Sequence, residues 1–351
     1  MTKVTNLNLK TPYLDLLRAE LQLPQPENAA FLAIDLFAGC GGLALGFEAA
    51  GLRTVGYEML PDACTTYRQN LHGHCQQTTL TTETDLGDRP EAIIGGPPCQ
   101  PFSVGGQQRG LKDSRDGFPI FINAVGRYRP AIAIFENVRG MLFRNRAYFN
   151  EIVEALQNLG YKVEWQLLNA AHYGVPQRRE RVFCVAHQGG WQWPNQIGGK
   201  PYTVGEALGE LAQGAPPDSK FLTPSMDAYI KKYERASKCV RPRDLHLDAP
   251  ARTVTCRNLS AATGDMLRIR LPDGRRRRLT VREGARLQSF PDWFEFAGNA
   301  ESQCRQIGNA VPPLLAKAIA LSVRKYLERI YGSDRDKRDD TKLYCSLTSK
   351  K

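Results

Sequence analysis

The sequence predicts an α/β fold: a doubly wound, mostly parallel sheet carrying a second, smaller domain. Two observations lead there. Short apolar segments fit for buried strands alternate with helical stretches over roughly the first half of the chain, the pattern of crossover units in a parallel sheet. Several of these segments also end in glycine- or proline-rich turns bearing reactive side chains, and open α/β sheets bind ligands outside the carboxyl ends of their strands.

In chain order, Thr11-Pro12 followed by Tyr13, Leu14, Leu17 and Leu21 reads as an N-capped amphipathic helix with proline in its first turn. Phe31 to Phe37 is a buried strand, Gly39 to Gly42 a tight turn, and an apolar helix then runs to Gly51. Further strands are expected at Arg53 to Tyr57, Glu91 to Gly95, Ala131 to Phe135, Lys162 to Leu168 and Val182 to Ala186, with a helix at Phe149 to Leu159. From His187 the character changes. Gly, Pro and Trp cluster between Gly189 and Pro217, and strand and turn signals are expected to replace the alternation through about Arg277. A helical period returns after Pro312 through Leu314, Leu315, Ala318, Ile319, Leu321, Val323 and Leu327, so the chain is expected to come back onto its first domain. The expected division is 1–187 with 303–351 as one domain, and 188–302 as the other with its hinge.

Composition narrows the class. The chain has 351 residues, enough for a substantial core and about two domains. Its nine cysteines are odd in number and contain no CxxC pair, which fits reduced thiols in a cytosolic compartment better than a disulfide framework. No secretory leader, lipidation motif or bilayer-length apolar run is read, so a cytoplasmic protein without a membrane is expected. The net charge of +11 suits a polyanionic partner. Eight arginines, Arg268, Arg270, Arg275, Arg276, Arg277, Arg278, Arg282 and Arg286, lie beside two acids, Asp273 and Glu283. That run reads either as a solvated face or as phosphate contacts.

Four constellations carry chemistry. Asp35 to Gly42 (DLFAGCGG) lets backbone approach a ligand after a strand, and Glu58 stands where an acid would take ribose hydroxyls; a tight structural turn is the bland alternative. Gly95 to Ser103 (GGPPCQPFS) sets Cys99 on the rim between prolines that restrict its direction; a buried inert cysteine is the alternative. Phe135-Glu136-Asn137-Val138 ends another strand, so its carboxyl group lies near Cys99 if the two strands are close in the sheet. Tyr173 to Arg181 is a charged turn before a strand, and surface ion pairing would explain it. His72, His74 and Cys75 lack a convincing fourth ligand, so a polar loop and no metal are expected. Gly105 to Gly110 lacks the lysine and hydroxyl of a phosphate loop and reads as a mobile loop.

These segments, with Arg277 to Asp292 (RRLTVREGARLQSFPD) and Gln306 to Pro313 (QIGNAVPP), resemble the DNA (cytosine-5)-methyltransferases in order and spacing. The resemblance covers Ile34 to Ala186 and Arg252 to Leu315. It implies a Rossmann-like S-adenosylmethionine-dependent sheet with a smaller target-recognition domain. Cys99 then matches the nucleophile that adds to C6 of cytosine, and Glu136 the acid that bonds the N3 and amino edge. Arg179 and Arg181 match pocket arginines, a cation favouring the Cys99 thiolate. Asn137 looks like a support for the loop of Glu136.

For the cofactor, the resemblance points to Phe37, Gly39, Gly41, Glu58, Pro98, Asn309 and Val311, with Phe37 stacking on adenine. Thr78 departs from the pattern, standing where many members carry an acid for the adenine amine; Gln77 or a backbone carbonyl is the substitute considered. For DNA, the resemblance points to Gln100, Ser103, Thr253, Val254 and Arg257. Arg241, Arg243, Asn258 and Ser260 are further candidates for base or phosphate contacts. The loop after Cys99 would close on a flipped cytosine. Double-stranded DNA is the implied partner of a bacterial monomer in the cytosol or nucleoid, whose cognate restriction endonuclease acts on the same site. Two rivals are an RNA cytosine methyltransferase, whose Cys-Phe-Thr signature is absent, and a catalytically silent DNA-binding regulator.

Overall fold

The structure is a computed structural model that describes residues 11–99, 116–217, 219–238, 244–260 and 264–332. Helix α1 (Pro12–Glu20) starts as expected: the Thr11 hydroxyl accepts from the Leu14 amide, and Tyr13, Leu14 and Leu17 are buried. Strand β1 (Leu32–Leu36) leads into α2 (Gly42–Ala49), then β2 (Arg53–Glu58), α3 (Pro61–Asn70), β3 (His74–Gln77) and β4 (Ala92–Gly95). Helix α4 (Phe118–Tyr128), β5 (Ile132–Val138), α5 (Arg146–Asn158), β6 (Lys162–Asn169), the two-residue β7 (Gln177–Arg178) and β8 (Glu180–His187) follow.

Seven strands make one sheet in the order β3-β2-β1-β4-β5-β8-β6. The pairs from β3 to β5 are parallel, and β8 runs antiparallel to both of its neighbours. That reversal follows from chain length, because the turn from Asn169 to Glu180 contains no crossover helix. Alternate residues of the central strands serve opposite faces. Ala92, Ile94, Ile132 and Ile134 enter one apolar cluster, whereas Ile93, Ala133 and Phe135 enter the other. Both faces being covered, these strands are apolar throughout instead of alternating with polar residues. Strand β3 replaces the polar loop expected around His74; its edge position and four-residue length kept it below any hydrophobic signal.

The region after His187 departs from expectation. It is mainly short helices: α6 (Val204–Leu208), α7 (Pro224–Ala236) and α8 (Cys256–Ser260), followed by α9 (Val281–Leu287) and α10 (Ala300–Asn309). Its strands are two or three residues long: β9 (Ala251–Arg252) pairs with β7, and β10 (Arg268–Arg270) with β11 (Arg276–Arg278). The caps explain the helices. Thr203 and Glu206 form a reciprocal capping box, and Thr223 caps a helix that opens on Pro224.

The arginine run is corrected as well. Arg268, Arg276, Arg277 and Arg286 are buried, and each meets an acid. Arg277 makes a two-pronged bond to Glu283 at 2.7 and 2.8 Å, and Arg268 reaches Glu234 at 2.7 Å and Asp244 at 2.5 Å. Arg276 pairs with Asp227 and Asp244, and Arg286 with Asp292. A buried guanidinium must be paired, so these four hold the region together and face neither water nor phosphate. Arg270 and Arg275 remain exposed.

The returning helix α11 (Pro313–Tyr331) packs on α2, with Ala316 and the Lys317 amide against Gly46. Gly46 permits the approach: a Cβ there would lie 2.4 Å from the Lys317 amide and 2.5 Å from the Ala316 side chain. Gly46→Ala is therefore expected to destabilise the protein by about 1–3 kcal/mol, measured by denaturant unfolding; unaltered stability would show that the helices can part freely. No described helix is long and apolar enough to cross a membrane.

Candidate active site

The parallel register brings the carboxyl ends of β1, β2, β4 and β5 to one rim. At the end of β1 the backbone turns through Phe37 (φ 60), Gly39 (φ 55) and Gly41 (φ 87). Side chains are strained in that region, and at Gly41 a Cβ would also meet Leu71 at 2.7 Å and Tyr67 at 2.8 Å. Glu58, at the end of β2, ties this turn down: Oε2 accepts from the Gly39 amide and Oε1 from the Leu60 amide, both at 2.8 Å. Each oxygen keeps a further lone pair for a ligand hydroxyl. Asp35 is buried beneath the turn with no partner for Oδ2 among the described residues. Burial, with repulsion from Glu58, pushes its carboxyl well above the usual carboxylate range.

Val311 lies against this turn, its carbonyl 2.6 Å from where a Gly42 Cβ would stand, while Asn309 is exposed at the end of α10. Gln77 faces Glu58 across the β2–β3 register, and the Thr78 amide donates to the Glu58 carbonyl at 2.9 Å. Phe37 reaches towards Gly117, where a Cβ would meet its ring at 2.9 Å and Pro98 at 2.5 Å.

Strand β4 delivers Pro97, Pro98 and Cys99. Because β4 and β5 are neighbours with Gly95 beside Phe135, the loop of Cys99 and the side chain of Glu136 share the rim. Asn137 Nδ2 donates to the Pro97 carbonyl at 2.8 Å, so Asn137 braces the loop of Cys99 and not only that of Glu136. Cys99 Sγ contacts Met141 Sδ at 3.4 Å. Its thiol is pushed up to about 12 by burial first and by Asp116 second. The expected cation beside Cys99 is thus replaced, among the described residues, by a carboxyl group that opposes the thiolate.

Glu136 and Arg181 meet across the β5–β8 pair, with Arg181 Nε 3.0 Å from Glu136 Oε1. The contact lies off the hydrogen-bond axis, leaving this buried oxygen without an aligned donor among the described residues. Arg179 sits apart from such duty. It is 1% exposed and donates to the carbonyls of Val254 at 2.8 Å, Gly308 at 3.2 Å and Ala310 at 3.1 Å. Burial, with Arg181 adding to it and Glu136 opposing, lowers its pKa to about 9, so it remains a cation at neutral pH. Its hydrogen bonds join the turn before β8 to two distant segments, while its buried Nε has no partner among the described residues.

Gln177, which sequence reasoning passed over, does similar work. Fully buried, it donates to the Leu287 carbonyl and Gln288 Oε1 and accepts from the Val254 amide at 2.8 Å. Its place within the charged turn from Tyr173 to Arg181 was the only hint available. Val254 is accordingly fully buried, its amide and carbonyl both taken. The Thr253 hydroxyl donates to the Arg178 carbonyl, and just before α8 the Thr255 hydroxyl accepts from the Asn258 amide while Asn258 Oδ1 accepts from the Thr255 amide. Ser260 donates to the Cys256 carbonyl, leaving Arg257 as the exposed candidate of that group. Gln100, Ser103, Arg241, Arg243 and the glycine loop at 105–110 lie outside the described residues.

A family model for the C-5 cytosine-specific DNA methylases matches residues 31–325, which takes in every strand of the large sheet. The chain belongs to that family. As a C-5 cytosine-specific DNA methylase it is a DNA (cytosine-5)-methyltransferase, with the mixed seven-stranded sheet and flanking helices of that fold. It is 61% identical over 317 residues to the Type II methyltransferase M.AplI of Arthrospira platensis, covering 90% of this chain and 92% of that one. It is 36% identical to the Type II methyltransferase M1.HphI of Haemophilus parahaemolyticus, over 83% of this chain and 86% of the other. Among solved structures, the Entamoeba histolytica methyltransferase EhMeth superimposes with a TM-score of 0.66 at 16% identity, over 85% of this chain and 98% of that chain. The S. pombe Dnmt2 methyltransferase gives 0.63 at 17% identity, over 86% and 99%. At such identities the structural likeness speaks for the fold alone.

Proposed function

We propose that this methylase transfers a methyl group from S-adenosylmethionine to C5 of one specific cytosine in double-stranded DNA, through a covalent bond between Cys99 and C6. The observation that carries the reading is the rim shared by Cys99 and Glu136, where a buried Glu136 oxygen lacks an aligned donor. The cytosine must leave the base stack to reach them, at a cost of roughly a few kcal/mol. Glu136, steadied by Arg181, then bonds the N3 and amino edge while the Cys99 sulfur forms a bond to C6. C5 thereby becomes the nucleophilic carbon and accepts the methyl group. The C5 proton leaves to water or a base, and the C6–sulfur bond breaks to release the product.

S-adenosylmethionine supplies, when bound, a methyl group on a sulfonium. The turn fits it: two left-handed glycines bare the backbone, Glu58 has lone pairs to spare for ribose hydroxyls, and the Asp35 oxygen lacks a partner. Phe37, Gly39, Gly41, Glu58, Pro98, Val311 and Asn309 are the residues we assign to it. Glu58→Gln is expected to weaken its binding by tenfold to a hundredfold, roughly the loss of one or two charged hydrogen bonds, in calorimetric titration of the folded variant. Unchanged affinity would remove Glu58 from the role.

The segment 188–302 is proposed to read the DNA, with Gln100, Ser103, Thr253 and Arg257 in contact; Val254, being buried, acts by packing. The similarity to type II methyltransferases supports a protective role beside a restriction endonuclease acting on the same site, and a monomer in the bacterial cytosol or nucleoid is proposed with it. Bisulfite sequencing of DNA from cells expressing the protein tests activity and site together. Unconverted cytosines confined to one short motif would support the reading; complete conversion, with the protein folded and able to bind cofactor, would refute it.

A further inference from the structure

A carboxyl group stands beside the proposed nucleophile, where the reaction outlined above has no use for one. Asp116 forms an antiparallel bridge with Cys99, and the next amide, Gly117, donates to the Pro98 carbonyl at 3.0 Å. Only a residue without a Cβ allows that approach, because one at Gly117 would lie 2.5 Å from Pro98. Asp116 is 4% exposed and gripped from two elements. Oδ1 accepts from the Phe118 amide at the start of α4 at 3.1 Å, and Oδ2 accepts from the Tyr148 hydroxyl on α5. Tyr148 is itself buried and packs edge-on against Phe118, with ring centroids 5.9 Å apart. The carboxyl group therefore cannot swing away from the thiol into water.

We propose that Asp116, fixed by Tyr148, is a positioning residue that holds Cys99 as a neutral thiol in the free enzyme, so that the sulfur becomes anionic only as a cytosine docks. The inference rests on reading Cys99 as the nucleophile. A second negative charge beside a buried carboxylate is costly, because little water screens the pair. Among the described residues, the other groups around the thiol do not offset it. Met141 on the short turn after β5 is neutral, Tyr148 is already bonded to Asp116, and Glu136 on β5 is matched by Arg181 on β8. Burial and Asp116 act on the thiol in the same direction. A neutral thiol resists oxidation and adventitious alkylation, and it gives up its proton to solvent when the sulfur–carbon bond forms.

The test is iodoacetamide labelling of the full chain without DNA, followed at the Cys99 peptide by mass spectrometry across a pH series. Each unit by which a thiol's pKa falls raises its thiolate fraction tenfold below the pKa and lowers its intrinsic nucleophilicity about threefold, a net gain of roughly three- to fourfold. Asp116→Asn is expected to label Cys99 at least about threefold faster near pH 8, with the rise in rate moved to lower pH. Asp116→Ser serves as a second carboxylate-free variant if the first does not fold. Tyr148→Phe keeps the carboxylate and its bond from the Phe118 amide, and is expected to accelerate labelling less than either Asp116 variant. Wild-type rates in the Asp116 variants, or equal acceleration in Tyr148→Phe, would overturn the proposal, the latter by showing loosened packing in place of a charge effect. Failure of the wild-type enzyme to form an adduct with DNA carrying a fluorinated cytosine would instead sink the nucleophile reading and leave the labelling result standing.

Discussion

Cys99→Ser is expected to lower methyl transfer to duplex DNA by at least about 10³-fold while leaving cofactor binding and melting temperature near their wild-type values. A hydroxyl at this site keeps the size of the side chain but is far harder to ionise than a thiol, and the same burial and the same Asp116 carboxyl group act on it. C6 then receives no sulfur and C5 never gains its electron density. Transfer of labelled methyl from S-adenosylmethionine to DNA, under single-turnover conditions, checks this. A variant retaining a tenth or more of the wild-type rate would mean that the bond to C6 is not made by this residue. Because Asn137 braces the Pro97 carbonyl from the neighbouring strand, the loop is expected to hold its shape in the variant, so lost activity reports chemistry and not unfolding.

The second large effect falls on stability. Arg179→Met is expected to destabilise the protein by about 3–5 kcal/mol, seen as a fall of roughly 4–7 °C in melting temperature for a chain of 351 residues. Methionine fills much of the volume but leaves the carbonyls of Val254, Gly308 and Ala310 without the donor that now serves all three. Resemblance alone assigns Arg179 to the pocket, which would make the same change lower the rate and spare the fold. Differential scanning calorimetry with rate measurements separates the two: an unchanged melting temperature with lost activity would restore the pocket assignment. Arg179→Lys, able to reach one or two of the carbonyls, should recover part of the loss.

How much of this was legible follows from the range of the interactions involved. The central strands could be read because apolar residues on both faces leave a continuous signal, as in Ala92 to Gly95 and Ile132 to Phe135. The Thr11–Pro12 cap was equally plain, its partners lying three residues away. Strand β3 was missed because an edge strand with one buried residue in four has no apolar period. Segment 204–236 was misread as strands because the glycines and prolines between its caps outweighed the Thr203–Glu206 and Thr223–Pro224 signals. Asp116 drew no notice at all, since nothing local in its surroundings announces a neighbour at position 99.

By itself, then, the sequence determined the α/β plan and the family, because each depends on short runs whose order along the chain is their information. Only the tertiary structure decided what the charged groups do. Arg179 finds carbonyls 75 and 129 positions away, and Arg268 and Arg277 pair with acids in the interior instead of meeting a phosphate. A buried charge takes whatever partner the fold brings within about 3 Å, and that distance is set by the packing of segments remote in the chain.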